Sequence, residues 1–472
     1  MGKIWSLEKY KDHIAILDEF GSEVTYGQLD SDSYALAGRI GRRCLVFTLC
    51  RNEIGSVLGY TAFINHEIVP VMVNSHLDGA LLEILLKAYS PEYLWVPQDQ
   101  AWQFSGMAIE YGAYNYVLLK TGYEVKYPLY DGLGLLITTS GSTGSPKLVR
   151  QSYTNVLDNA KSIAEYLKLD DTERPITTLP MNYVYGLSII NSHFLVGATL
   201  LVTDKGFMQK ELWDFFKEAG ATSFGGVPYT YEMLDKLRFY QMKLPSLRTM
   251  TQAGGKITPE LHEKFAAYAK DQGKNFVVMY GASEATSRMG YLPPEKAVEK
   301  KGSMGIPIPG GKFRLIGDDG QEITEPLVTG ELVYEGTNVT LGYAECGEDL
   351  VKGDERHGVF QTGDMAQFDA DGFYYIVGRK KRFLKIYGNR VNLDEVDRMI
   401  KGEFEIEVVS GGVDDHLYIF VTDEKMTGQV REFVADKTKL NPAAFKMIVI
   451  DKIPKNDSGK TLYKELEKYY DS

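Results

Sequence analysis

Thr138-Thr139-Ser140-Gly141-Ser142-Thr143-Gly144-Ser145-Pro146-Lys147 is the stretch on which the reading of this chain turns. An apolar, strand-like run, Leu135-Leu136-Ile137, leads into it, and a helix-like segment begins near Ser152. Hydroxyl side chains, two glycines and a lysine crowd together here. Glycines let a backbone approach a ligand closely, and successive N–H groups form a nest for an anion. Hydroxyls add donors and the lysine adds charge. Such a segment suits phosphates, most simply those of a nucleotide. A flexible linker shares the composition, but the strand before it and the Pro146-Lys147 ending argue against one. It is not a G-x-x-x-x-G-K-[ST] loop, because Gly141 and Gly144 are too close and Pro146 precedes Lys147. Nor does Gly132-Leu133-Gly134 open a dinucleotide fingerprint, since Ile137 stands where the third glycine belongs.

Outward from the loop, apolar runs and helical patterns alternate. Upstream, the pattern predicts a helix, a short strand pair around Glu23-Val24-Thr25-Tyr26 and a second helix from Leu29, all within 5–40. Strands at 45–49, 68–73 and 92–96 then enclose helices at 52–65 and 78–89. Downstream come helix 152–168, strand 176–180, an apolar helix to about Leu195, strand 198–203 and helix 209–219. Strand 221–225, helix 229–239, strand 248–252, a helix opened by Pro259 and strand 275–279 complete the series. This alternation predicts α/β architecture with a mainly parallel sheet, whose ligands sit beyond the strand ends. After Pro293-Pro294 short β runs dominate, with turns at Asp318-Asp319-Gly320 and Asp369-Ala370-Asp371-Gly372. From Gly378 a cationic run precedes a small α+β tail with helices at 392–402 and 427–438. The predicted organisation is a large N-terminal α/β domain, 1–378, of several subdomains with a β-rich part. A hinge at 379–381 and a small mobile C-terminal domain, 382–472, follow.

At 472 residues, with 44% hydrophobic and 25% charged residues, the chain has the composition of a soluble globular protein with a sizeable core. Its net charge of −12 makes nucleic acid an unlikely partner, so any phosphate site is a local exception. Cys44, Cys50 and Cys346 lack metal spacing and read as reduced thiols of a cytoplasmic protein. No run of about 18 apolar residues predicts a membrane span.

Four further motifs follow the loop. They are Tyr280-Gly281-Ala282-Ser283-Glu284, Thr362-Gly363-Asp364, Gly378-Arg379-Lys380-Lys381-Arg382 with Lys385 to Gly388, and Pro454-Lys455 to Gly459-Lys460. In this order they resemble the adenylate-forming acyl-ligase superfamily: acyl-CoA synthetases, adenylation domains of peptide synthetases and beetle luciferases. The resemblance runs from about Tyr26 to Lys460 and is closest to short acyl-CoA or acyl-carrier-protein ligases. It implies attack of a carboxylate on the α-phosphate of ATP, giving acyl-AMP and pyrophosphate, then transfer of the acyl group to a thiol of CoA or a carrier protein's phosphopantetheine. Setting an anion against an anion demands cations and fixed donors placed in advance.

The resemblance also implies roles. Thr139, Ser140, Gly141, Ser142, Thr143, Gly144 and Lys147 would hold phosphates. Gly254, Gly255, Tyr280, Gly281 and Ser283 would line the nucleotide, Gly254-Gly255 and Tyr280-Gly281 forming the walls of an adenine slot. Glu284 would hold Mg²⁺, a hard cation suited to carboxylate and phosphate oxygens. Asp364 would accept from the ribose hydroxyls, with Arg379 supporting ribose or phosphate. Lys460 would be the adenylation lysine, Lys381 the pivot, and Lys385 a residue of the second half-reaction. Taken singly, each has a plainer reading: a surface lysine, a turn aspartate, a solvated charge run. A non-catalytic nucleotide-binding relative would need neither Glu284 nor Lys460, and the presence of both favours an enzyme.

The departures concern the acid. Tyr183 stands where many acyl ligases carry a histidine. Tyr185-Gly186-Leu187-Ser188 aligns with the Phe-Asp-x-Ser of amino-acid-activating domains, and Gly186 replaces the aspartate that pairs the ammonium. A buried unpaired ammonium is costly, so the acid is expected to lack an α-amino group. Tyr183, Tyr185, Phe224, Gly226 and Tyr229 are the expected acyl pocket. Arg288 either meets a polar substituent of the acid or lies on the surface.

Overall fold

The computed structural model describes residues 4–124, 127–138, 147–386, 389–413, 415–438, 440–455 and 461–470. The chain divides into two compact units, Met1–Phe313 with Tyr334–Phe360, and Arg314–Val333 with Gln361–Ser472.

The first unit contains an eight-stranded and a nine-stranded sheet. The expected parallel pairing holds only at their centres. In the eight-stranded sheet Leu45–Cys50 pairs parallel with Val69–Asn74 and Tyr93–Pro97, and Val69–Asn74 pairs parallel with Leu133–Thr138. Both flanks are antiparallel. The strand Leu148–Ser152 was not expected. It returns antiparallel along Leu133–Thr138, so the phosphate-loop candidate joins two strands of one ladder. Its residues are all buried and show no alternation. Arg150 is accommodated because its guanidinium meets Glu355 and the carbonyl of Tyr343.

In the nine-stranded sheet, Ser223–Gly226, Thr249–Gln252 and Asn275–Ala282 are parallel neighbours. Ser287–Tyr291 then turns back antiparallel. The strand expected at 176–180 covers only Pro175–Ile176, because the chain approaches Pro180, which has no N–H for a ladder. The first expected helix is a single turn, Leu7–Tyr10.

Helices Ile54–Asn65 and Val184–Val196 join the two sheets. Nearly every residue of both is buried, which explains their apolar, non-amphipathic sequences. One core cluster runs through Val46, Met72 and Trp95 of one sheet, both helices, and Ile16, Leu200 and Val202 of the other. The buried Tyr60 hydroxyl donates to Asn191 Oδ1 at 2.9 Å, satisfying a polar pair in this layer. Ser152 caps helix Tyr153–Tyr166 in a capping box with Asn155. Asn155 also donates to the carbonyls of Thr337 and Val339, fixing this helix start within the unit.

The second unit holds the antiparallel pair Val359–Phe368 and Tyr374–Arg379, and a three-stranded sheet of Val408–Val413, His416–Val421 and Phe445–Val449. Helix Leu393–Phe404 is capped by Asn392, and its apolar stripe Leu393, Val396 and Ile400 joins the core of that sheet. The expected turns are present. Asp369 accepts from the N–H groups of Asp371 and Phe373, and Gly372 takes φ +81°. The cationic run is not uniformly solvated: Arg382 is buried, its Nε 2.7 Å from Asp394 and its Nη2 2.6 Å from Asp397, with Nη1 donating to the Ser410 carbonyl.

Candidate active site

Glu284 lies on the helical turn Ser283–Ala285 that follows strand Asn275–Ala282. Thr286 and Ser287, at φ 55° and 114°, reverse the chain there. The reversal explains Gly281: a Cβ at that position would sit 1.6 Å from the Ser287 carbonyl oxygen. The Thr340 N–H donates to the Glu284 carbonyl at 3.0 Å. These contacts hold the Glu284 backbone, while its carboxylate accepts from the Tyr343 hydroxyl.

Tyr343 is the meeting point. Lys147 Nζ stands 3.7 Å from the centre of its ring, and Arg356 Cζ stands 4.9 Å from it. Both distances suit cation–π attraction. Burial, and then the hydrogen bond to Glu284 and its charge, push the Tyr343 phenol up to about 12, so it remains a donor near neutrality. The arrangement therefore sets two cations beside a carboxylate held by a phenol. Sequence reasoning missed Tyr343 and Arg356, which lie 59 and 72 residues beyond Glu284 and carry no local motif. No group of three or more His, Cys, Asp or Glu among the described residues could hold a metal. A single carboxylate suits Mg²⁺ that arrives already bound to nucleotide phosphates.

Gly254 takes φ +82°, and a Cβ there would stand 2.7 Å from the Tyr183 hydroxyl oxygen. The structure thus brings the Gly254 wall and the expected acyl pocket together. Gly255 packs close to Pro228, and the Tyr280 ring is edge-on to Phe313. Tyr183 and Tyr185 are T-shaped, with ring centres 6.3 Å apart, and the Tyr185 hydroxyl donates to Thr251 Oγ1 at 2.8 Å. Phe224 packs among Phe207, Phe216, Tyr231 and Phe239. Gly226 lies under Thr230, and Tyr229 is 56% exposed. At Gly186 a Cβ would meet the Pro180 carbonyl oxygen at 2.4 Å, so packing alone excludes a side chain there. Arg288 is not on the surface; it is 2% exposed.

In the second unit, Asp364 and Arg379 are register partners on adjacent strands, and Arg379 Nε reaches Asp364 Oδ1 at 2.6 Å. Two motifs fifteen residues apart in sequence thus form one ion pair. Asp364 is nearly buried, and its own N–H donates to Thr362 Oγ1. Lys455 pairs with Glu407. Thr139, Ser140, Gly141, Ser142, Thr143, Gly144 and Lys460 lie outside the described residues, as do the side chains of Lys381 and Lys385.

Residues 4–344 match the model of a family described as AMP-binding enzyme. The chain belongs to that family. It is 30% identical over 349 residues to an oxalate–CoA ligase of Arabidopsis thaliana, covering 70% of this chain and 66% of that one. It is 27% identical over 350 residues to a 2-succinylbenzoate–CoA ligase of Bacillus subtilis, covering 72% and 70%. The chain thus matches just under two thirds of the length of the Arabidopsis relative. Among solved structures, o-succinylbenzoate CoA synthetase of Bacillus subtilis with AMP superposes with a TM-score of 0.79 at 22% identity, covering 99% of this chain and 98% of that one. This likeness shows the fold. No helix among the described residues is long and apolar enough to cross a membrane.

Proposed function

We propose that this protein is an ATP-dependent carboxylic acid ligase that forms an acyl-AMP and then an acyl thioester. The convergence of Lys147, Arg356 and Glu284 on Tyr343 carries the reading. In the first half-reaction a carboxylate oxygen of the acid attacks the α-phosphorus, the bond to the β-phosphate oxygen breaks, and pyrophosphate leaves. In the second, a thiolate attacks the acyl carbonyl and AMP leaves. Lys147 and Arg356 offset charge on the departing pyrophosphate. Glu284 would hold Mg²⁺, which would supply further charge neutralisation at the phosphates. Tyr343 orients the carboxylate. The candidate phosphate loop, Thr139 to Gly144, grips the β- and γ-phosphates, Gly254, Gly255, Tyr280, Gly281 and Ser283 line the nucleotide, and Asp364 with Arg379 receives the ribose. Lys460 serves adenylation and Lys385 thioester formation, with a hinge at Lys381 between domains 1–378 and 382–472.

The solved relatives bound to AMP, to an acyl-adenylate, and to ATP with magnesium support this order of events. The names of the curated relatives favour CoA over a carrier protein as the acceptor. The free thiols accord with a cytoplasmic setting. Tyr183, Tyr185, Phe224, Gly226 and Tyr229 bound the acid, which lacks an α-amino group: position 186 has no room for a carboxylate, and the nearby buried cation Arg288 repels an ammonium.

ATP–pyrophosphate exchange across fatty, aryl and short polar acids tests the reading, followed by CoA and carrier-protein acceptors. Strong exchange with amino acids would refute the acid class. Lys460→Ala is expected to abolish adenylation while preserving thioester formation from supplied acyl-AMP, and Lys385→Ala to do the reverse. Equal loss of both steps in Lys460→Ala would remove the division of labour.

A further inference from the structure

Arg288 is a buried cation with neutral neighbours. Its Nε donates to Ser188 Oγ at 3.2 Å, and its Nη1 lies 3.0 Å from the Tyr166 hydroxyl and 2.9 Å from the Met279 sulfur. Its Cζ stands 5.0 Å from the centre of the Tyr185 ring. No carboxylate among the described residues pairs with it, and its Nη2 has no hydrogen-bond partner among them. A guanidinium held without a counter-charge costs several kcal/mol, and a neutral side chain of similar volume ordinarily replaces it at no loss. Proteins keep such groups where they serve a ligand.

The residue is also held in place. Its carbonyl accepts from Asn159 Nδ2 at 2.9 Å and Asn338 Nδ2 at 3.0 Å, and its backbone is the register partner of Gly281 in the Tyr280 to Glu284 motif. Its position is next to the acyl pocket proposed above: it stacks on Tyr185, and it lines a cavity of about 10 Å³ with Phe224, Thr251 and His193. That cavity admits one water-sized group. His193 Nδ1 is bonded to the Ile189 carbonyl at 2.8 Å, which makes it the donor nitrogen. His193 Nε2 is therefore an acceptor, and it has no hydrogen-bond partner among the described residues. A lone pair cannot neutralise Arg288. The expected acyl pocket adjoins Arg288 through Tyr185.

We propose that the acid carries a second anionic group, a carboxylate, which pairs with Arg288 through its free Nη2. This inference rests on the ligase reading and narrows it to dicarboxylic acids. Arg288 is thus a specificity residue, and its Nη2 offers charge-assisted hydrogen bonds to a carboxylate.

ATP–pyrophosphate exchange with matched pairs of mono- and dicarboxylic acids, two to eight carbons long, tests this in the wild type, Arg288→Met and Arg288→Lys. The wild type is expected to prefer one dicarboxylate over its monocarboxylate partner by about 100-fold in kcat/KM. Arg288→Met should remove that preference, raise the monocarboxylate rate and keep the thermal midpoint. Arg288→Lys should restore part of the preference. Exchange that ignores the second carboxylate in the wild type overturns the inference and leaves the ligase reading intact. An equal fall for both acids in Arg288→Met, with a lowered midpoint, makes Arg288 a structural residue and also overturns it. Absence of exchange with every acid defeats both.

Discussion

Glu284 and Arg288 are four residues apart on one reversal of chain, yet their surroundings differ in kind. The Glu284 carboxylate stands by a phenol whose ring two cationic side chains approach. The Arg288 guanidinium is sealed among a hydroxyl, a phenol, a thioether and an aromatic ring. In the half-open region cations and a carboxylate gather around one phenol, so charge of both signs is at hand. In the closed region no carboxylate among the described residues offsets the charge.

The largest effect expected from this contrast is at the open end. Glu284→Gln should lower ATP–pyrophosphate exchange by about 10³-fold with every acid, at an unchanged thermal midpoint, because it removes a charge aimed at the phosphates. A loss under tenfold, measured by radiolabelled exchange, would break the comparison.

His193 probes the closed end. Burial, with a smaller contribution from the Arg288 charge, lowers its pKa from 6.5 to about 4. The unfolded chain therefore takes up a proton that the folded chain refuses, and stability falls as pH drops through 6.5 towards 4. The loss reaches about 3 kcal/mol at the acid end, at about 1.4 kcal/mol per unit. Thermal midpoints between pH 7.5 and 4.5 should show it, and His193→Gln should flatten the slope. An equal slope in both proteins would assign the acid sensitivity elsewhere.

The Asp364–Arg379 pair extends the comparison to the second unit. Asp364→Asn should raise the KM for ATP by about 30-fold, the worth of about 2 kcal/mol in charge-assisted hydrogen bonds, with little change in kcat. A fall in kcat alone would move Asp364 from binding to chemistry. The smallest effect is at Tyr343: Tyr343→Phe removes one bond to Glu284 and should cost about tenfold in exchange. If it costs as much as Glu284→Gln, the phenol rather than the carboxylate is the key group.

The order of elements was legible because helices and buried strands differ in length and pattern, and the motif residues were legible because phosphate chemistry needs distinctive types. The strand Leu148–Ser152 was not, since a strand covered on both faces shows no alternation. Tyr343 and Arg356 escaped because their partnership with Glu284 and Lys147 depends on long-range packing. Arg288 was seen but left open, since a strand buried over Ser287 to Gly290 gives no sign of which face an arginine takes. Gly186 had a substrate reading, and the structure adds a packing one: the Pro180 carbonyl fills the space.

Arg382 has one further consequence. With Asp394, Asp397 and Ser410 it rivets the end of the cationic run to helix Leu393–Phe404 and the strand behind it. Arg379 is tied on one side to Asp364, and Lys380 to Glu331. A swivel at Lys381 would be one residue wide, between Lys380 and Arg382, both of which are paired. Turning it would first undo the Asn392 bond to the Val377 carbonyl and the contact of the Arg379 N–H with Asp394. Those bonds, like the Arg382 pairs, stand between the cationic run and any turn at that point.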